Sequence, residues 1–374
     1  MRYVPDKQLL LLGGGHAHLS LLRRLRSEAP RGWRVTLVSP HARQIYSGML
    51  PGWVAGHYAI EDCGISLAGL CERAGIAFAQ TTATGLDLSR DEALCADGER
   101  RRFDIVSIDT GPEPALADLP GAIAHALPVR PIEGFIADWP NIERRWKELT
   151  GPFEVVVVGS GAAAVELAFA IRSRAAREGA SGVRVGLVGR DAEPLADTAG
   201  SVSRHVMRQL RAHGIHWRGN STAVQILPRL IRFECGADLP FDACLVATGA
   251  AAPRWPHAAG LSTDDAGFIR VDRSLRSVSH PHVFAAGDVA AHVDTRPKSG
   301  VFAVRAGAAL AGNILAACNG APLTEWHPQR QALYLISTGD RRAIASLGAL
   351  SAFGRWAWIW KDWIDRGFER RYQE

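Results

Sequence analysis

The sequence lacks the spacings that announce a metal or dithiol centre. Its six cysteines, at positions 63, 71, 95, 235, 244 and 318, form no Cys-x-x-Cys pair, and no histidine joins them at ligand spacing. That argues against a zinc site and a thioredoxin-like dithiol, and no metal is expected. Cysteines scattered in apolar settings, such as Ala243-Cys244-Leu245, read as core residues of a reduced, cytoplasmic protein. No stretch reaches 18 uninterrupted apolar residues, so no membrane-spanning helix is expected. The early run Leu9 to Leu12 is too short for a signal peptide and meets three glycines at once. Charge of one sign is also lacking: 43 basic against 38 acidic residues leave +5 on 374 residues. That is too dilute to argue nucleic acid, though a pI near 9.0 suits an anionic ligand or membrane surface.

What is present is a globular composition with a glycine excess. Hydrophobic residues at 47% and charged residues at 22% supply a core and exclude wholesale disorder. The length suggests two to three domains. The 38 glycines exceed the usual share, and tight turns against phosphates are one use for them.

Two segments share one grammar. Gln8 to Leu12 is an apolar run, followed by Gly13-Gly14-Gly15-His16-Ala17-His18 and then the helical pattern Leu19, Leu22, Leu25. Glu154 to Val158 leads likewise into Gly159-Ser160-Gly161-Ala162-Ala163-Ala164, with a helix expected from about Ala162 to Glu178 and a stop at Gly179. A second buried strand follows each, at Arg34–Val38 and Val183–Val188, completing two βαβ units. Glycines let backbone N–H groups approach a pyrophosphate at a helix N-terminus, where the dipole favours anions. One such turn is a weak signal and an ordinary βα turn competes with it; two, each in its own βαβ unit, point to dinucleotide sites.

Further runs complete the pattern. Phe241 to Gly249 is a buried strand ending in Ala247-Thr248-Gly249, and Phe103 to Gly111 is its degenerate counterpart ending in Thr110-Gly111. His282 to Val289 is a strand, a glycine (Gly287) and an acid (Asp288). An Ala- and Gly-rich helix is expected from Val301 to Cys318, capped by Asn319-Gly320.

This set resembles the two-dinucleotide flavoprotein reductases of the pyridine nucleotide-disulfide oxidoreductase superfamily, over nearly the whole chain. The stretches Tyr46 to Gly52, Arg296 to Val301 and Ser337 to Ala343 look closest to the branch of type II NADH dehydrogenases, which includes modules fused ahead of selenide, water dikinase. The resemblance implies an α/β fold with two Rossmann-like domains, the second inserted in the first. An FAD domain would comprise 1–120 and 250–320, an NAD(P)H domain 121–249, and a C-terminal segment 321–374. FAD would sit at the first glycine turn and NADH or NADPH at the second.

The same resemblance implies site residues. Around the flavin dinucleotide it places Gly13, Gly15, His16, Ala17, Met49, Leu50, Ala83, Thr110, Gly111, Gly287, Asp288 and Val301. Asp288 would hydrogen-bond the ribityl chain. The helix from Val301 would aim its N-terminus at the flavin pyrimidine edge, with Lys298 either adding charge there or standing as a loop lysine. Gly159, Gly161, Ala162, Thr248 and Gly249 would border the nicotinamide nucleotide. Glu166 would lie between nicotinamide and flavin as a proton relay or quinone contact, or would complement the helix dipole. Catalytic roles are thus expected of Glu166 and Lys298.

Two departures bear on this. The usual ribose-binding acid is replaced by Ser39 after the first motif, with Arg43 near enough to approach FAD phosphate. After the second motif it is replaced by Gly189-Arg190, and Arg190 suits a 2′-phosphate, leaving NADPH open. His18 stands where the sixth position of the first turn usually holds Gly or Ala; His16 and His18 read as structural or phosphate-edge groups ahead of catalysts. No cysteine lies at the disulfide-reductase spacing, and Cys63 and Cys71 read as core ahead of a sulfide-oxidising pair.

In the tail, Phe353, Trp356, Ala357, Ile359, Trp360, Trp363 and Ile364 recur at helical spacing, opposite Lys361, Asp362, Asp365, Arg366 and Glu369. This amphipathic helix either docks on the cytoplasmic face of a membrane, since Trp favours that interface, or covers the protein's own core or a homodimer face. The expected activity is hydride transfer from NAD(P)H to FAD and onward transfer to a quinone-like acceptor. A sulfide or selenium-species oxidoreductase, and a flavin-bearing partner of a selenium enzyme, are the alternatives.

Overall fold

The computed structural model describes residues 6–148 and 151–373. Two five-stranded parallel sheets form its frame. The first runs in the order Val283–Ala285, Ile105–Ile108, Lys7–Leu12, Trp33–Val38, Ala77–Ala79. Its central strands are near-continuous apolar runs, because a parallel sheet is covered on both faces. The second repeats the plan: Leu127–Pro128, Ala243–Val246, Phe153–Val158, Val183–Val188, His216–Arg218. Each is accompanied by a three-stranded antiparallel ribbon, Ala83–Asp87 to Arg100–Arg102 in the first half and Ala223–Leu227 to Asp238–Pro240 in the second. The first sheet receives its edge strand, Val283–Ala285, only after the chain has built the second sheet.

Both glycine turns open helices, His16–Leu25 and Ala162–Arg177. The second helix stops as expected, with Gly179 at φ +70°. The apolar helix Gly300–Cys318 starts one residue earlier than expected and is capped by Asn319. It lies against the first helix, where Gly307 allows close approach: a Cβ there would come within 2.8 Å of the Ala17 carbonyl. This helix is long and apolar enough to cross a membrane, although Arg305 interrupts its apolar run; 56% of its most apolar window is buried inside the fold.

The chain closes with an antiparallel three-stranded sheet, Leu333–Ser337, Ala343–Leu347 and Leu350–Gly354, and the helix Arg355–Gln373. The tail helix turns the opposite way from a core-covering amphipath. Ala357, Asp365, Phe368, Glu369 and Tyr372 face the protein. Trp356, Ile359, Trp360 and Trp363 face outward, Trp363 being 66% exposed. The charged arc is drawn inward because Lys361 and Asp365 find partners there, described below.

Candidate functional site

The first glycine turn lies at the carboxyl ends of three adjacent strands, where ligands bind in open α/β sheets. Gly13 adopts φ +90°, and a Cβ on it would come within 2.3 Å of the Asp109 carbonyl oxygen, so only glycine fits. Gly15 is the N-cap of the helix, and its amide donates to that same carbonyl at 3.1 Å. The Asp109 carboxyl then reaches under the helix: its Oδ2 accepts the Ala17 and His18 amides at 2.8 and 2.9 Å. A carboxylate thus caps the helix from a neighbouring strand rather than from the N-cap position. Burial pushes the Asp109 carboxyl up to about 7, against those two amides and with help from nearby Asp288.

His18, the unexpected sixth residue, is fully buried. One ring nitrogen lies 2.6 Å from the Gly13 carbonyl oxygen and the other 2.8 Å from Ser107 Oγ. The ring therefore braces strand against turn where other sequences bring the backbones together with a glycine. Burial lowers both His16 and His18 to about 4, so they stay neutral near pH 7. His16 stacks on Phe368 of the tail and meets Tyr46 at a tilt, and its buried Nε2 has no hydrogen-bond partner.

Asp288 follows Gly287, whose φ of +71° lets the backbone pass the Asp109 carboxyl. Arg130 lies 3.7 Å from Asp288 and ties the two halves together. Burial raises the Asp288 carboxyl, opposed by Arg130 and Lys298. Lys298 donates to the Ala290 carbonyl and lies 4.0 Å over the Phe268 ring. It borders a cavity of about 120 Å³, lined also by Gly287, Asp288, Phe302 and Trp326. At the start of the Gly300–Cys318 helix the buried Ser299 hydroxyl is without a partner. These residues fit a flavin dinucleotide: a glycine turn for phosphates, an acid for ribityl hydroxyls, and the unpaired His16 and Ser299 atoms as ready polar contacts. The N-terminal turn of the Gly300–Cys318 helix borders the same cavity.

Other expected contacts serve the scaffold. Ser39 donates to the His41 carbonyl, and Arg43 to that of Glu61. Met49 is buried with Ile45, Tyr58 and Cys63, while Leu50 packs into the core of the second sheet. Ala83 begins the first antiparallel ribbon and is buried in the first core. Thr110 and Gly111 stand beside the first turn, directly after Asp109, and Val301 lies in the first turn of its helix.

The second turn repeats the first with smaller residues. A Cβ on Gly159 would come within 2.5 Å of the Ala247 carbonyl oxygen, and Ala164 packs where His18 stands in the first turn. Gly161 is the N-cap and Ala162 the first helical residue. Ser160 hydrogen-bonds Asp191 at 2.5 Å, an acid one residue beyond the expected position. Arg190 is 80% exposed beside it. Gly249 accepts the Ala115 amide, and Thr248 donates to the Ala115 carbonyl.

Glu166 is half-buried, and its carboxylate accepts the Ser337 amide at 2.8 Å. Burial raises it, opposed by Lys361. Lys361 donates to the Gly48 carbonyl and to Asp365, both at 2.8 Å. Burial alone would lower its ammonium, but Asp365 and Glu166 hold it above its ordinary value. Tyr46 faces Asp365 in the same cluster. Glu166 is thus more than a helix-dipole partner: it joins the second helix, the loop after Tyr46 and the tail. Asp109, Ser107, Arg130, Lys361 and Asp365 were not anticipated as site residues.

The profile of the pyridine nucleotide-disulphide oxidoreductases matches residues 7–307. The chain belongs to that family. An NADH dehydrogenase-like protein of Mycobacterium tuberculosis is 26% identical over 242 residues, which are 62% of this chain and 60% of that protein. Among solved structures, the sulfide:quinone oxidoreductase of Aquifex aeolicus superposes with a TM-score of 0.84 at 19% identity, covering 98% of this chain and 91% of that one. NDH2 of Plasmodium falciparum, solved with NADH, gives 0.82 at 14% identity, covering 98% and 97%. The two-dinucleotide flavoprotein fold is therefore established.

Proposed function

We propose that this protein is an FAD-dependent NAD(P)H dehydrogenase that passes electrons to a quinone-like acceptor. The observation that carries the reading is the pair of glycine turns, each at the carboxyl end of its own five-stranded parallel sheet. FAD belongs to the first turn, held by residues of 1–120 and 250–320, and the nicotinamide nucleotide to the second, within 121–249. Bound flavin supplies hydride acceptance and one- or two-electron release. Arg130 and Asp288 fix the approach of the two halves. Glu166, half-buried beside charged Lys361, holds a proton-exchanging carboxyl between the second turn and the tail. Lys298 orders the loop before its helix through the Ala290 carbonyl. Quinone-directed names among the structural relatives support the acceptor class, and the outward Trp356, Trp360 and Trp363 suit contact with a membrane holding it.

Thiol chemistry is the weaker alternative. Burial raises the Cys63 thiol to about 12 and the Cys71 thiol to about 11, far from reactive thiolates. The test is anaerobic mixing of the flavin-loaded protein with NADH, NADPH or sulfide, followed by a short-chain quinone. Bleaching of the flavin by a nicotinamide nucleotide and its recovery with quinone are expected. A flavin that neither nucleotide bleaches sinks the dehydrogenase reading; bleaching by sulfide alone replaces it.

A further inference from the structure

The first turn holds a carboxyl group where a dinucleotide-binding helix normally offers its free positive end. Asp109 is only 2% exposed. Its Oδ2 takes the Ala17 and His18 amides. A Cβ on Gly15 would lie 2.4 Å from its Cγ, and one on Gly287 2.4 Å from its Oδ1, so the carboxyl fills the space that both glycines leave. The position matching Asp109 in the second turn is Ala247, as the strand registers show: Leu12 pairs with Ile108 and Val158 with Val246, each one residue before.

Adding a flavin dinucleotide brings a pyrophosphate diester, ionised throughout the working pH range, to the same helix end. An ionised Asp109 there would set like charges side by side in a buried place. We propose that Asp109 is a cofactor-binding residue of the first turn that enters the loaded protein as a neutral carboxylic acid, so that binding FAD transfers one proton from solvent to this side chain. The inference rests on the placement of FAD at the first turn.

The surroundings favour that direction. Asp288, on the turn after Val283–Ala285, adds negative charge from the neighbouring strand. The cations nearby, Arg130 ahead of the 132–148 helix and Lys298 ahead of the 300–318 helix, act on Asp288. From the first helix, His16 and His18 are neutral above pH 6.5 and offer no compensating charge. The Asp109 carboxyl is already pushed up to about 7, and a phosphate placed close by pushes it further. Protons bound on loading make affinity fall as pH rises.

The full chain, freed of flavin, is titrated with FAD from pH 6 to 9 at constant ionic strength, following flavin fluorescence. The wild-type Kd is expected to rise up to about tenfold per pH unit above about pH 7, whereas Asp109→Asn binds FAD with a Kd that changes less than about twofold. Calorimetry at pH 8 in buffers of different ionisation enthalpy should show uptake of about one proton by the wild type, and none by Asp109→Asn or Asp109→Ser. If Asp109→Asn does not fold, the wild-type calorimetry and Asp109→Ser decide. A flat wild-type Kd without proton uptake overturns the proposal, as does a pH slope that survives in Asp109→Asn or Asp109→Ser. Failure to bind FAD at every pH would instead overturn the cofactor reading itself.

Discussion

The two glycine turns are built on one plan and filled differently. In both, the first glycine lies against the carbonyl of the residue that follows the adjacent strand, Asp109 in one and Ala247 in the other. The second turn closes with small groups, Ala164 and Ala247. The first replaces them with His18 and Asp109 and ties both side chains into hydrogen bonds. The lesson is that the backbone geometry of such a turn does not require a small sixth residue. It requires that whatever stands there be packed and satisfied. The first turn thereby gains titrating groups that the second does not have.

The largest effect should come from removing the shared feature. Gly13→Ala and Gly159→Ala each drive a Cβ into a backbone carbonyl at positive φ, costing about 2–4 kcal/mol locally. Gly13→Ala should abolish flavin retention; Gly159→Ala should keep the flavin yet leave it unreduced by NADH or NADPH. The visible spectrum of each purified variant checks this, and the reverse pattern would exchange the two assignments.

Next comes the feature that separates the turns. His18→Asn removes a ring that fills the core and bonds Gly13 and Ser107, at a cost of about 2–3 kcal/mol at pH 7. The unfolded chain takes up a proton on this residue near 6.5, while the folded ring waits until about 4. The stability that wild-type His18 confers is therefore complete above pH 6.5 and is lost as pH falls towards 4. Urea unfolding of both proteins should show the variant's deficit shrinking across that window. A deficit that stays constant with pH would mean that His18 titrates normally in the fold.

The smallest effect concerns the rim of the second turn. Arg190 is exposed, so Arg190→Ala should leave stability unchanged. Should the arginine hold a 2′-phosphate, the KM for NADPH rises about tenfold while that for NADH stays. Equal KM values for both nucleotides, before and after substitution, would remove Arg190 from nucleotide choice.

The parallel βαβ halves were legible because strand–glycine–helix patterns are local: Leu9–Leu12 and Val155–Val158 announce buried strands, and Gly13 and Gly159 announce the turns. Asp288 and Glu166 were legible as candidates through motif spacing. Asp109 was not, although aligning the two halves on Thr110-Gly111 and Thr248-Gly249 would have set it against Ala247 and exposed it as the odd residue. The direction of the tail helix was not legible for a different reason. Helical spacing separates an apolar from a charged arc, but it does not say which arc meets the protein. Here Lys361 and Asp365 turn inward, because Gly48 and each other are there to receive them.

The sequence by itself determined the fold class and both turns, since glycine freedom and apolar periodicity act between near neighbours along the chain. Only the tertiary structure decided which charges live inside. The Ala17–Asp109 hydrogen bond spans 92 positions and the Ser337–Glu166 bond 171. A buried carboxyl is tolerable only where distant segments bring it donors, and that meeting is a property of the folded chain.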